Sequence, residues 1–161
     1  MYQLVDPFVR FHLTFMTRPE EVGYWSRFVT TPQHSSWAGL AFEQVCASHL
    51  DQIKQALGIS GVSTTASSWR SKPGVSPGAQ IDLIIDRADG CVNLCEMKFS
   101  ATEYSITRSY ASTLTARREL FRAQTGTRKA LYLTIITPYG LAPGEYASTV
   151  QQSLTIDQLF C

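Results

Sequence analysis

A chain of 161 residues, 44% hydrophobic and 17% charged, has the composition of a globular protein with one workable core. A net charge of +1 excludes a globally basic nucleic-acid binder, so any such contact must come from a local patch. No C-x-x-C pair occurs among Cys46, Cys91, Cys95 and Cys161, which argues against zinc, and no glycine-rich phosphate loop marks an NTPase.

No signal peptide and no membrane-spanning apolar run is legible, so the cytoplasm is the expected setting. Asp6-Pro7 predicts a helix start, a cap followed by proline in the first turn, with Phe8, Phe11, His12 and Phe15 as its stripe to about Met16. Residues 17–36, rich in Pro, Thr and Ser, read as irregular. A stronger helix is predicted from Trp37 to Leu57, stopped by Gly58. At 100° per residue, Phe42, Val45, Cys46, His49, Leu50, Ile53, Ala56 and Leu57 share one of its faces. His49 inside that face reads as a satisfied core histidine rather than a ligand. Glu43 falls at the stripe's edge, either at the rim of whatever the helix covers or as a snorkelling surface side chain. Residues 61–79 read as a loop, with Arg70-Ser-Lys-Pro-Gly-Val-Ser-Pro-Gly78 leading into the next element.

Gln80 to Phe99 is the most informative stretch. Ile81, Leu83, Ile84 and Ile85, then Val92 and Leu94, favour two strands around the Asp89-Gly90 turn signal. A two-residue loop would place Asp82 opposite Met97. A three-residue loop, with Gly90 in the left-handed position of a bulged turn, pairs Arg87 with Cys91 and opposes Asp82 to Glu96 and Gln80 to Lys98. Leu83–Cys95 and Ile81–Met97 then form the opposite, apolar face. A one-residue slip would undo this arrangement.

In the three-residue register the two carboxylates repel across the ladder unless something offsets them. A hard divalent cation, Mg²⁺ or Mn²⁺, would do so. Lys98, on the same face, would act on a bound water or phosphate, or else merely offset an acid. Gln80 beside it would position the same water, or else is a strand-edge polar residue. Cys91 and Cys95, alternating with apolar residues, read as buried free thiols.

Residues 107–124 predict a helix carrying Arg108, Arg117, Arg118 and Arg122, with Arg128 and Lys129 following. Six of the fourteen basic residues therefore fall between 108 and 129. They suit either phosphate contact, with Arg117, Arg118 and Arg122 as the candidate nucleic-acid-binding residues, or a solvated helix face. Residues 129–137 predict a buried strand, 146–154 a final amphiphilic strand, and Ile156–Phe160 a helical turn. The order of elements gives an α/β fold with a central mixed β-sheet flanked by helices. An N-terminal helix and linker, 1–35, would pack on a core of residues 36–161.

This succession resembles the PD-(D/E)XK nuclease superfamily, in which one helix bears a glutamate, a strand an aspartate, and a neighbouring strand Glu-x-Lys. The matching residues are Glu43, Asp82, Glu96 and Lys98; the motif's leading proline is absent, since Gln80-Ile81 precedes Asp82. A closer likeness is to the C-terminal domain of archaeal-type AAA ATPases, carried by Tyr2-Gln-Leu-Val-Asp-Pro-Phe8, Trp37-Ala-Gly-Leu-Ala-Phe-Glu43, Gly78-Ala-Gln-Ile-Asp82 and Leu94-Cys-Glu-Met-Lys98.

The resemblance implies a restriction-endonuclease-like core, and a fragment or split partner of an ATPase. It implies a metal-dependent phosphodiesterase acting on nucleic acid, DNA ahead of RNA. Asp82, Glu96 and the Met97 carbonyl would hold Mg²⁺ or Mn²⁺, with Glu43 ligating directly or through water; Lys98 and Gln80 would serve the attacking water. Two rival expectations stand beside it. One is a catalytically silent nuclease-fold module that binds nucleic acid or protein and regulates an ATPase, the other an interaction domain with incidental acids.

Overall fold

The computed structural model describes residues 6–16, 22–72, 74 and 78–160. Residues 2–5 of the opening motif, Pro73 and residues 75–77 of the loop before the hairpin, and Cys161 lie outside the described residues.

Helix α1, Pro7–Phe11, starts where Val9 N–H donates to the Asp6 side chain at 2.7 Å, and it runs into a π-helical turn, His12–Met16. The segment expected to be irregular contains α2, Tyr24–Phe28, and the start of α3, Pro32–Ser48. Thr31 caps α3 through His34 N–H at 3.2 Å, with Pro32 in the first turn. Thr31-Pro32 thus repeats the signature of Asp6-Pro7, and the surrounding Ser/Thr content obscured it.

The single helix expected to Leu57 is broken. His49 leaves helical geometry at φ −114°, ψ 36°, and α4, Leu50–Ala56, follows. His49 Nδ1–H donates to the Val45 carbonyl at 2.7 Å and its ring packs on the exposed Phe160, so it is hydrogen-bonded as expected but half-buried rather than in the core. Gly58, at φ +69°, terminates the run. Phe11, Phe15, Trp25, Phe28 and Trp37 stack into one aromatic cluster that ties α1 and α2 to α3.

Five strands form one mixed sheet in chain order: β1 Thr64–Arg70, β2 Gln80–Arg87, β3 Cys91–Met97, β4 Ala130–Thr137 and β5 Gln152–Thr155. β1–β2 and β2–β3 are antiparallel, β3–β4 and β4–β5 parallel. β1 replaces part of the loop expected over 61–79. As an edge strand it buries little, with Trp69 alone joining a core cluster, so its Ser/Thr-rich sequence carries no buried-strand pattern. The final strand is shorter than expected, because 147–149 form a 3₁₀ turn before β5. Helix α5, Arg108–Thr125, crosses from β3 to β4. Thr107 caps it and Gly126, at φ +66°, closes it.

The sheet is covered on both faces. Leu83, Ile85, Cys95 and Met97 pack with Phe42, Cys46 and Ile53 of α3 and α4. Ile84, Val92, Leu94, Leu131 and Leu133 pack with Leu114 and Phe121 of α5. Burial on two sides explains why β4 reads as a nearly continuous apolar run rather than an alternating one.

Candidate functional site

The three-residue turn is present. Gly90 sits at φ +82°, and β2 pairs with β3 through Leu83–Cys95, Ile84–Leu94, Ile85–Asn93 and Asp86–Val92, the register expected. Beyond Leu83 the strand departs from it. On the other side of β2, Ser67 pairs with Ile84 but Trp69 with Ile81, so two steps of β1 match three of β2. This one-residue bulge turns Ile81 into the α5-side core beside Ile84, not onto the Leu83 face.

The bulge also corrects the expected opposition of Asp82 and Glu96 on one face. Asp82 lines a cleft of about 480 Å³ beneath α3 with Leu83, Met97 and Glu43, and its Oδ2 accepts the Met97 N–H at 3.0 Å. Glu96 instead turns towards α5. Its side chain is 3% exposed; Oε2 accepts from Arg117 Nη1 at 2.6 Å and from the Tyr110 hydroxyl at 3.3 Å, while Oε1 is buried with no hydrogen-bond partner.

The charges nevertheless form one electrostatic group at the open end of the hairpin. Burial, and then the neighbouring Asp82, push the Glu96 carboxyl above its ordinary range, opposed by Arg117 and Lys98. Glu43, half-buried on α3, is raised by burial and by Asp82 and lowered by Lys98. Asp82 therefore couples to both glutamates, and Lys98 to both as a counter-charge. The Lys98 ammonium lies 5.6 Å from the Tyr110 ring centroid, a cation–π contact that holds the amine at the mouth of the site. The Tyr110 hydroxyl is itself pushed up by burial and by Glu96, and so stays a proton donor to that carboxylate.

Among the described residues, no three side chains of His, Cys, Asp or Glu gather as a metal cage. The oxygen donors that could hold a hard cation are Asp82 and Glu96, at the edge where the bulge ends, with Glu43 at the rim. The Met97 side chain belongs to the core, so only its carbonyl is available to such a site. Gln80 is not beside Lys98 in a ladder pair. It pairs with Arg70 of β1, whose Nη2 donates to Gln80 Oε1 at 2.8 Å.

The three arginines divide. Arg117 binds Glu96, Arg118 donates to Glu119 Oε1 at 3.1 Å, and Arg122 reaches the Lys129 carbonyl at 3.5 Å. Sequence reasoning missed Tyr110 and Arg117 as partners of Glu96. Their seven-residue separation puts both on one side of α5, a spacing that was legible once the helix was placed. Cys46 and Cys95 are buried, and burial pushes both thiols up to about 12, so they behave as packing residues; Cys91, at the start of β3, is only half-buried.

No family model matches the chain, and no curated protein matches it. Among solved structures the chain is similar to a crystal structure of a protein of unknown function, AF1548. The identity is 18% and the TM-score 0.49, over 71% of this chain and 64% of that one. This chain thus spans less than two thirds of that protein's length, and a likeness at this level supports no statement about activity.

Proposed function

We propose that this protein is a metal-dependent phosphodiesterase of restriction-endonuclease-like fold, cytoplasmic, acting on nucleic acid. The observation that carries the reading is Glu96. It is a carboxylate 3% exposed with one oxygen unpartnered, coupled to Asp82 and followed two residues on by Lys98, at the carboxyl end of a strand in the parallel half of the sheet. Ligands of open α/β sheets commonly sit at such strand ends. An orphaned, desolvated carboxylate oxygen that is electrostatically coupled to a second carboxylate is a charge arrangement that an oxygen-coordinated cation would offset.

In this reading Asp82 and Glu96 hold Mg²⁺ or Mn²⁺, with the Met97 carbonyl and Glu43 completing the donor set. The ion, when bound, lowers the pKa of a bound water and offsets charge on the phosphate. Lys98, kept at the mouth by Tyr110 and by its coupling to Glu43 and Glu96, supplies a fixed positive charge to the phosphate as negative charge builds on it. Tyr110 and Arg117 orient Glu96 from the α5 side. Glu43, with its raised affinity for protons, sits where it can exchange a proton with water at the cleft.

One observation favours a second reading. The Arg117 guanidinium already neutralises Glu96 at 2.6 Å, which is the arrangement a catalytically silent module of the same fold would keep. Incubation of purified protein with labelled single- and double-stranded DNA and RNA, in Mn²⁺, Mg²⁺ or EDTA, separates the two. Cleavage that requires metal and disappears in Asp82→Ala and Lys98→Ala is expected. Binding without cleavage under all metal conditions identifies the silent module.

A further inference from the structure

A second cleft opens beside the first, of about 530 Å³, lined by Arg70, Ser71, Lys72, Ala79, Gln80 and Arg117 together with two glycines. Three of its lining residues are cationic and none is acidic. Gln80 lines both clefts, so they meet at the first residue of β2.

The walls of this cleft are built. Ser71 N–H donates to the Ala79 carbonyl at 2.8 Å and Ala79 N–H to Ser71 Oγ at 2.9 Å, which clamps the chain entering and leaving the β1–β2 connection. Lys72 N–H donates to Gln124 Oε1 at 3.0 Å, tying the same connection to α5. Arg70 is steadied by Gln80, a neutral partner that leaves its charge uncompensated. Neither Arg70 nor Lys72 forms an ion pair among the described residues, in a chain whose net charge is only +1. Uncompensated cations gathered in a concavity favour a polyanion, and a guanidinium with free donors suits phosphate oxygens.

We propose that this cleft is a phosphate-binding subsite for the backbone of a nucleic-acid strand, continuous through Gln80 with the carboxylate cleft. Arg70 and Lys72 each contact a phosphate. The inference rests on nucleic acid being the ligand of the proposed function, but not on that site cutting it. The contacts made here are to the backbone and set position and affinity rather than base sequence.

The test is fluorescence anisotropy of a labelled single-stranded DNA oligonucleotide in EDTA, repeated across a range of salt concentrations. The double variant Arg70→Gln/Lys72→Gln is compared with wild type and with Lys54→Gln, which removes a cation on α4. Both exchanged side chains are exposed, and circular dichroism checks that each variant is folded. Two lost phosphate contacts should flatten the slope of log affinity against log salt by about 1.4, at roughly 0.7 per contact for single strands. Lys54→Gln should leave the slope unchanged. An unchanged slope in the double variant overturns the subsite, as does wild type that fails to bind. A flattened slope in a protein that never cleaves keeps the subsite and rejects the catalytic reading. Cleavage with an unchanged slope does the reverse.

Discussion

The two ends of the β2–β3 hairpin are made from the same strands and follow opposite rules. At the turn end the register is strict, Ile85 is fully buried, and the charges are paired at the edge, Arg87 with Asp89 and Lys129 with Asp86. At the open end the ladder is interrupted by a bulge, a glutamate is buried with one oxygen unsatisfied, and Asp82 and Lys98 each couple to two glutamates. One end maximises packing and polar satisfaction. The other gives up both to keep charge in a confined place, a pattern expected where a fold accommodates a site.

Four substitutions test that contrast, beginning with the largest effect. Ile85→Ala removes a fully buried side chain beneath α3 and α4, and should lower stability by about 2–5 kcal/mol in urea unfolding. A loss below ~1 kcal/mol would mean that the turn end is not the anchor of the hairpin. Lys98→Ala should leave the unfolding midpoint nearly unchanged while cutting metal-dependent cleavage by about 10²–10³-fold, or about 2.7–4 kcal/mol of transition-state stabilisation. Gly90→Ala forces a side chain into φ +82°, where nothing lies within 4 Å to clash, so its cost is purely conformational. About 1–2 kcal/mol of lost stability is expected in thermal unfolding.

Glu96→Gln should act in the opposite direction. Burial and Asp82 hold the Glu96 carboxyl above its ordinary value of 4.5, so the folded chain binds this proton more tightly than the unfolded chain does. The resulting stabilisation is complete below the ordinary value and is lost as pH rises through the raised folded value. The variant escapes that loss. Its melting temperature should exceed wild type at pH 7 by about 2–4 °C, corresponding to roughly 1 kcal/mol. The gap should close as pH is lowered towards 4.5, while cleavage is abolished at every pH. A variant less stable than wild type at pH 7 would show that the Arg117 pair outweighs the burial of the charge.

Much of this molecule was legible before folding, and the exceptions are instructive. The hairpin register followed from one local fact, that Asp89-Gly90 supplies a residue able to hold positive φ and so determines which residues oppose one another. α5, expected over 107–124 from its apolar stripe, forms over Arg108–Thr125, with a Thr107 cap and a Gly126 stop seen only in the structure. β1 was missed because an edge strand with little burial needs no apolar pattern. The break at His49 was missed because a carbonyl captured by a side chain four residues on leaves no trace in periodicity.

Local chemistry along the chain was enough for the mixed α/β order, the turn and the register near it. Propensity, turn chemistry and hydrophobic period are local, and all of these follow from them. Which way each acid points came from long-range packing. The bulge in β2 arises from pairing with β1, far from the hairpin turn, and it sends Asp82 under α3 while Glu96 turns to Arg117 and Tyr110. Which partner a buried charge finds depends on what other elements bring to its face, and no spacing along a single strand contains that.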